Sequence, residues 1–262
     1  MSAAPNGRHL RRFSVHTGQW HEGGSAVSQQ DVPDILLQLE EEGRNLPNRC
    51  RDLSEWRAAG MRGFVLDVGC GTGWKVHCMN QWPETRAVGC DMEERVLSYG
   101  RNTLAVSQLV LAVGDRLPFP DATFDWVTAS EVIEHMQDPR GFLEEAWRVL
   151  KPQGRLFLTT PNRLQYLRPW RPRLFWLGLR GQVVLDASHV REFSDAELAE
   201  LLLPGFTVAR TRYVGTLCGW PTTVPIERLP VSLRRVWSQG IQVTAQKMMG
   251  VDHPQVAGNA AS

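Results

Sequence analysis

The sequence has little net charge, no long apolar run and few cysteines. Its 262 residues carry a formal net charge of +1, and this lack of a general basic field argues against nucleic acid as a partner. No apolar run approaches the roughly 20 residues of a membrane-spanning helix. The five cysteines form no Cys-x-x-Cys pair and follow no recognisable secretory signal, so we expect reduced thiols in a cytoplasmic protein.

Short apolar strands alternate with helices from residue 61 onward. The predicted strands are 64–68, 87–90, 108–113, 125–129, 155–160, 206–214 and 241–247. Most of the early strands are followed by a helical segment, and repeats of this kind pack parallel strands with helices on both faces. The sequence therefore predicts an α/β protein with a Rossmann-like open sheet.

Three other segments flank or interrupt this alternation. Residues 1–60 are expected to form a largely helical N-terminal extension that lies over the ligand cleft. Residues 61–248 form the main domain, and 249–262 are expected to be a flexible tail. An insertion at about 163–188 breaks the strand–helix rhythm inside the main domain.

A glycine-rich loop follows the first strand of the main domain. In Gly69-Cys-Gly-Thr-Gly73 the glycines allow the backbone to approach a ligand closely, and ligands of such sheets bind at the carboxyl ends of the strands. Trp74 occupies the position where a dinucleotide fingerprint has its third glycine. The loop therefore indicates a nucleotide-type ligand other than a dinucleotide.

Three acidic residues lie at the ends of successive predicted strands. Asp67 stands two residues before the first glycine, where a carboxylate would repel a pyrophosphate but suits the ammonium of a methionine moiety. Asp91 can accept hydrogen bonds from both ribose hydroxyls, and Asp115 can accept one from an adenine amine. Together the three acids favour S-adenosylmethionine as the ligand.

Five segments resemble the signature segments of the class I S-adenosylmethionine-dependent methyltransferases. They are Val65-Leu-Asp-Val-Gly-Cys-Gly-Thr-Gly73, Val88-Gly-Cys-Asp91, Gly114-Asp-Arg-Leu-Pro-Phe-Pro120, Asp125-Trp-Val-Thr-Ala-Ser-Glu-Val-Ile-Glu-His135 and Leu150-Lys-Pro-Gln-Gly154. The resemblance is dense over about residues 60–162. It implies an enzyme with a sheet of seven mostly parallel strands, the last one antiparallel, and S-adenosyl-L-methionine as cofactor.

The resemblance also implies the cofactor contacts. The glycine loop would face the methionine half of the cofactor, and the acids after the next two strands would meet the ribose and the adenine. The implied contact residues are Asp67, Gly69, Cys70, Gly71, Gly73, Asp91, Met92, Asp115, Arg116, Ser130 and Glu131.

Carboxylates and imidazoles are predicted at the mouth of this cleft. Glu131, Glu134 and His135 follow the fourth strand, and a helical turn there would put all three on one face. In one interpretation they bind a divalent metal ion together with His189, and the ion holds an acceptor oxygen and lowers its pKa. In the other, Glu131 lies beside the cofactor, Glu134 is solvated or caps a helix, and His135 is a general base or is buried. The candidate catalytic residues are Glu131, His135 and His189.

This constellation is similar to that of two methyltransferase subfamilies. One comprises the ubiquinone-biosynthesis O-methyltransferases, which act on phenolic lipids and are closest in their motifs. The other comprises the small-RNA 2′-O-methyltransferases, which use two glutamates and two histidines for a metal. We predict methyl transfer to a small hydrophobic or phenolic metabolite, on oxygen. The alternatives are an RNA 2′-O-methyltransferase and a non-catalytic cofactor-binding or membrane-associated scaffold.

The insertion is rich in arginine, tryptophan and leucine. Residues 163–180 carry five arginines and no acidic residue, at the place where the resembled family builds a lid over the acceptor. Arginine and tryptophan among leucines are also typical of a surface that contacts a membrane. Stacking of RNA bases on the aromatic side chains is a third interpretation. We therefore expect either a lid or a peripheral membrane contact here.

Overall fold

Twelve strands are found in the described part of the chain. The computed structural model describes residues 11–14, 20–22, 53–166, 183–184, 188–203, 205–214, 216–217, 224–225 and 228–249. The strands are β1 (Arg11–Ser14), β2 (Trp20–Glu22), β3 (Gly63–Val68), β4 (Thr85–Asp91), β5 (Leu109–Leu111), β6 (Phe124–Ser130), β7 (Leu150–Pro161), β8 (Val183–Val184), β9 (Phe206–Val214), β10 (Thr216–Leu217), β11 (Val224–Pro225) and β12 (Gly240–Lys247).

Six α-helices and two short 3₁₀ turns connect the described strands. The helices are α1 (Ser54–Ala58), α2 (Trp74–Met79), α3 (Glu94–Thr103), α4 (Pro139–Val149), α5 (Asp195–Leu202) and α6 (Val231–Trp237), and the turns are Ile133–His135 and Arg163–Tyr166. No helix among the described residues combines the length and the apolar character needed to cross a bilayer.

Seven strands form the central sheet, in the order β5-β4-β3-β6-β7-β12-β9. From β3 the chain moves outward through β4 to β5 and then returns to place β6 on the other side of β3, with parallel pairing throughout. The strand order therefore reverses between β3 and β6, and a ligand crevice forms where neighbouring connections diverge from the carboxyl ends of such strands. The predicted fold class is confirmed.

The antiparallel strand lies inside the sheet. β12 pairs antiparallel with β7 on one side and with β9 on the other, so β9 forms the edge. This arrangement confirms the prediction of a mostly parallel sheet with a last strand of opposite direction.

Helices cover both faces of the sheet because side chains alternate along each strand. On β3, Leu66 and Val68 join a core cluster with Phe142 of α4. Val65 points to the other face and joins a cluster with Val76 of α2 and residues of α1 and α3. The sheet is therefore the middle of three layers, as the strand–helix alternation predicts.

The N-terminal segment differs from its prediction at two short strands, whereas α1 (Ser54–Ala58) is helical as expected. Arg11–Ser14 and Trp20–Glu22 pair as an antiparallel hairpin, and β1 pairs parallel with β8 near the end of the insertion. The expectation of a largely helical extension is therefore wrong for these residues. Most of the remaining extension, the centre of the insertion and the predicted tail lie outside the described residues.

Two helices begin at residues whose side chains cap the helix N-terminus. The Asp138 side chain accepts hydrogen bonds from the first turn of α4, where Pro139 is the first helical residue. Ser194 and Glu197 form a reciprocal capping box at the start of α5.

The third predicted strand is shorter than expected, because Val113 leaves the sheet and pairs with Arg116 in a turn.

The cysteines only partly match their prediction. Cys70 and Cys90 are free and buried, and burial raises the pKa of Cys90 to about 12. Cys78 on α2 is disulfide-bonded. The expectation of five reduced thiols is therefore wrong for Cys78.

Gly100 on α3 allows that helix to touch the glycine loop. A Cβ atom at this position would overlap the backbone carbonyl oxygen of Thr72. We expect Gly100→Ala to lower stability by about 1–3 kcal/mol, because backbone cannot move aside as a side chain can, and this outweighs the roughly 1 kcal/mol that alanine gains in a helix.

Thermal unfolding of the variant and the wild type measures this effect. Ser98→Ala is the control on the same helix, since the Ser98 hydroxyl only donates to the exposed Glu94 carboxylate at 3.0 Å. A Tm of Gly100→Ala equal to or above that of the wild type would contradict the close approach.

Candidate active site

The glycine loop turns directly above the carboxyl end of β3. Gly69, Gly71 and Gly73 all have positive φ, at 65°, 56° and 76°, a conformation that other residues adopt only with strain. At Gly69 a Cβ atom would also overlap the side chain of Val132. The Cys70 N–H donates to the Cys90 carbonyl at 3.0 Å, which fixes the loop to β4.

Asp91 at the end of β4 also shapes this loop. One carboxylate oxygen accepts the Gly71 N–H at 2.9 Å, and the other accepts the Glu93 N–H at 2.9 Å. Each carboxylate oxygen has two acceptor positions, so both keep capacity for a hydroxyl of a ligand. Met92 beside it is 74% exposed, which leaves an apolar surface next to the carboxylate.

Asp67 lies beneath the loop and is fully buried. Its Oδ1 accepts the Thr128 hydroxyl at 2.6 Å, while its Oδ2 has no hydrogen-bond partner among the described residues. Burial raises the pKa of Asp67, although Lys75 and the Thr128 hydrogen bond act in the opposite direction. An unsatisfied buried carboxylate oxygen costs free energy, and a nearby ammonium group would offset that cost.

Asp115 and Arg116 lie in an exposed turn after β5. The Arg116 N–H donates to the Val113 carbonyl at 3.1 Å. A Cβ atom on Gly114 would lie 3.4 Å from the Val68 side chain, so this turn lies beside the end of β3. The structure therefore brings the three predicted acids to one end of the sheet.

The segment after β6 does not form the predicted helical turn. Ser130 ends the strand with a buried hydroxyl that has no hydrogen-bond partner among the described residues. Glu131 has a φ of 56° and donates its N–H to the Thr159 carbonyl at 2.9 Å. Only Ile133–His135 then form a 3₁₀ turn. Glu134 consequently points into the protein and His135 outward, so the expected common face with Glu131 is wrong.

Glu134, His135 and His189 nevertheless come together. One potential ligand atom from each lies within 4.8 Å of the others, and the two imidazole rings are 4.8 Å apart and nearly perpendicular. The approach is fixed by the backbone, because the Glu134 carbonyl accepts the Val190 and Arg191 N–H groups at 2.8 and 3.1 Å. Glu131 lies outside this compact set.

The Glu134 carboxyl is in an unusual environment. It is fully buried, its Oε2 accepts the Thr160 hydroxyl at 2.9 Å, and its Oε1 has no hydrogen-bond partner among the described residues. Burial, with a smaller contribution from Glu131, raises the pKa of Glu134 to about 8. Burial of its carboxyl also raises the pKa of Glu131, against the effects of Thr159 and His189.

Glu192 is a functional candidate that the sequence reasoning missed. Its side chain is buried beside His189, and the carboxylate lies 2.9 Å from His189 Nδ1. A carboxylate on one ring nitrogen fixes the tautomer and leaves the other nitrogen to act as a base or a ligand. The i,i+3 spacing of the two residues could have drawn attention to this pair.

The two ends of the insertion meet at this cluster. The Arg163 N–H donates to the Phe193 carbonyl at 2.9 Å, and His135 Nδ1 lies 3.3 Å from the Ser188 carbonyl oxygen. Residues 167–182 lie outside the described residues. The predicted lid and membrane contact of 163–180 therefore stay predictions.

Comparison with known proteins identifies the central part of the chain. The methyltransferase domain family matches residues 66–158. A probable S-adenosylmethionine-dependent methyltransferase of Mycolicibacterium smegmatis is 34% identical over 148 residues, which are 56% of this chain and 53% of that protein. A malonyl-[acyl-carrier protein] O-methyltransferase of Hahella chejuensis is 31% identical over 192 residues, 72% of this chain and 63% of that protein. The chain thus spans less than two thirds of these relatives.

A solved structure shares the fold. The S-adenosylmethionine-dependent methyltransferase of Archaeoglobus fulgidus superposes with a TM-score of 0.56 at 18% identity, covering 81% of this chain and 99% of that one. At this level of identity the likeness concerns the fold alone.

The raised pKa of Glu134 predicts a pH-dependent stability. Below the usual glutamate value of 4.5 the folded and unfolded states both carry the proton, and as pH rises towards about 8 only the folded state keeps it. A raised folded pKa gives stability that is present at low pH and lost as pH rises. Glu134→Gln removes this pH-dependent contribution. In metal-free protein, the Tm of the variant relative to that of the wild type should therefore rise between about pH 5 and pH 9, by the equivalent of a few kcal/mol of unfolding free energy.

Thermal unfolding at several pH values tests this prediction. The exposed Glu200 provides the control, and Glu200→Gln should follow the pH dependence of the wild type. Parallel curves for Glu134→Gln and the wild type would show that the buried carboxyl does not retain its proton.

Proposed function

Because the chain belongs to the class I S-adenosylmethionine-dependent methyltransferases, we propose that it transfers a methyl group to the oxygen of a small hydrophobic or phenolic metabolite. The observation that carries the proposal is the juxtaposition of two sites at one end of the sheet. The glycine loop with Asp91 lies over the strands β3 and β4, and the Glu134–His135–His189 cluster lies beside β6 and β7.

The residues of the first site fit the cofactor. Asp91 keeps acceptor capacity for both ribose hydroxyls, and the backbone of the glycine loop would face the methionine half. The unsatisfied Oδ2 of Asp67 suits an ammonium group nearby. Asp115 and Arg116, in their exposed turn, would meet the adenine, and Ser130 and Glu131 would border the methyl-donating end.

The cofactor supplies an activated methyl group on a positive sulfur. The chain must therefore align the acceptor oxygen with that methyl group, exclude water and take up the hydroxyl proton. His135 is exposed at the mouth of the cleft. If its Nδ1–H donates to the Ser188 carbonyl, its Nε2 is left as the acceptor of a proton. His189, oriented by Glu192, lies close enough to assist.

We propose a divalent metal ion as the alternative role for this cluster. A carboxylate and two imidazoles are ligands that Mn²⁺, Fe²⁺ and Zn²⁺ accept. The Oε1 of Glu134 has no hydrogen-bond partner among the described residues and is available to bind an ion. The Glu192 carboxylate would orient His189 as a second ligand. Glu131 would join only after a change in its conformation. A bound ion would lower the pKa of an acceptor hydroxyl.

Two further observations support the proposed class of acceptor. The Hahella relative is named as an O-methyltransferase, which supports oxygen as the methylated atom. The leucine and tryptophan content of 163–180 supports an apolar acceptor. The carboxylate–imidazole cluster also supports the RNA 2′-O-methyltransferase alternative, whose RNA binding would be strongly salt-dependent. A non-catalytic scaffold would bind the cofactor without methylating any acceptor.

A labelled-cofactor screen tests the proposed activity. The protein is incubated with metabolite extracts and, separately, with total RNA, and the labelled products are identified by mass. A labelled lipid-soluble or phenolic product supports the proposal, whereas label in RNA alone supports the alternative. Cofactor binding with no labelled product supports the scaffold.

Asp91→Ala should abolish cofactor binding while the protein stays folded. Two hydrogen bonds to a charged acceptor are lost, which corresponds to at least a roughly 100-fold increase in Kd. Calorimetric titration with S-adenosylhomocysteine measures the change. Glu93→Ala, which removes an exposed acid two residues further on, is the matched control and should bind as the wild type does. Unchanged affinity in Asp91→Ala would remove the ribose role.

His135→Ala should reduce turnover on the identified acceptor by about 100-fold or more, with cofactor affinity unchanged, if His135 is the base. His77→Ala removes a histidine from the surface of α2 and should keep full activity.

A chelator distinguishes the two roles of the cluster. If the cluster holds a metal, chelation inactivates the wild type and elemental analysis finds the ion; if it does not, neither is seen. Full activity of His135→Ala would discard both roles.

A further inference from the structure

We propose that Glu145 and Arg148 on α4 position the turn that carries Asp115 and Arg116, and thereby set the affinity for the adenosine part of the cofactor. This inference rests on the cofactor site proposed above. The hydrogen bonds of the Glu145 and Arg148 side chains go to each other and to residues 117–121, so they would act as positioning residues and not as catalytic ones.

Every N–H group of the Arg148 guanidinium has a partner. Two N–H groups donate to the Glu145 carboxylate at 2.6 and 2.8 Å. The other three donate to the Leu117 carbonyl at 3.0 Å, the Phe119 carbonyl at 2.8 Å and the Asp121 carboxylate at 2.7 Å. A planar guanidinium has five donors in a fixed arrangement. One side chain of α4 therefore holds three points along residues 117–121.

Glu145 adds a fourth point of attachment. Its Oε2 accepts the Leu117 N–H at 2.7 Å, so the carboxylate holds both Arg148 and the backbone of the loop. Both side chains are about four-fifths buried, at 21% and 19% exposure. Hydrogen bonds with a charged partner are the stronger kind, and partial burial protects this pair from solvent screening. The attachment is therefore rigid.

The clamped residues directly follow the predicted adenine contacts. β5 ends at Leu111 and supplies only three paired residues, so the sheet gives the turn little support. Asp115 lies against the first turn of α4, since a Cβ atom on Gly141 would be 3.5 Å from the Asp115 Cβ. Two residues further on, Leu117 is already bound to Glu145. The position of Asp115 thus depends on α4 more than on the sheet.

The geometry of the pair predicts that lysine cannot make all the contacts of Arg148. An ammonium group has three donors on a flexible stem and cannot span the carboxylate and three further oxygens. In Arg148→Lys at least one of the Leu117 and Phe119 carbonyls loses its hydrogen-bond donor. The turn that carries Asp115 and Arg116 then gains conformational freedom, and ligand binding must order it at a cost in affinity. We expect Kd for S-adenosylhomocysteine to rise about tenfold, the equivalent of one such hydrogen bond.

Calorimetric titration with two ligands tests the inference. S-adenosylhomocysteine contains the whole framework, and 5′-methylthioadenosine contains the adenosine part without the amino acid. Both should lose affinity by the same factor in Arg148→Lys. In the enzyme assay, the KM for the cofactor should rise while kcat at saturating cofactor and the KM for the acceptor stay unchanged.

Two further variants complete the test. Glu145→Gln should raise Kd in the same direction and serves in place of Arg148→Lys if that variant does not fold. Glu144→Gln is the control, because Glu144 precedes Glu145 on the same helix and is not one of the residues that hold the turn; its Kd should stay within about twofold of the wild type.

The outcomes separate this inference from the one on which it rests. No binding of S-adenosylhomocysteine by the wild type overturns the cofactor site and the clamp together. Binding by the wild type with unchanged Kd in Arg148→Lys and Glu145→Gln overturns the clamp alone. A lower binding stoichiometry at unchanged Kd also overturns it, since that result indicates lost folded protein and not a displaced turn.

Discussion

The chain must turn sharply within five residues above the end of β3, and the rest of the cofactor site depends on how that turn is held. Three left-handed glycines allow the turn, but they do not fix its shape. The Asp91 carboxylate does so when it accepts the Gly71 N–H at 2.9 Å. The same carboxylate is the proposed ribose ligand, so the group that contacts the ligand also holds the loop that surrounds it. Loop geometry and ligand affinity are therefore coupled at one side chain.

The second half of the site depends on a buried carboxyl. Glu134 is held by Thr160 through its side chain and by the 190–191 backbone through its carbonyl. These contacts bring His189, which comes from beyond the insertion, to His135 at the end of β6. The cluster is thus assembled from the ends of two strands and one returning segment, and burial raises the pKa of the Glu134 carboxyl, which favours its protonated form in the absence of a cation.

The sequence predicts the central sheet well because its signals are local. Apolar runs, capping residues and the glycine loop identify each strand and helix, and β9 agrees with its prediction at both ends. The predictions failed where the outcome depends on contacts distant in sequence. Glu131 has a positive φ, and its N–H donates to the Thr159 carbonyl. No local residue pattern predicts this conformation. The pairing of β1 with β8 is of the same kind.

The interior position of β12 has a consequence for synthesis on the ribosome. β9 cannot join the sheet beyond β7 until residues 240–247 have emerged and paired with both strands. Until then β7, about 80 residues earlier in the chain, presents an unpaired edge with strong strand propensity, which is a site for mispairing between nascent chains. The half of the sheet that carries the glycine loop can form early, whereas the half beside the Glu134 cluster waits for the last strand.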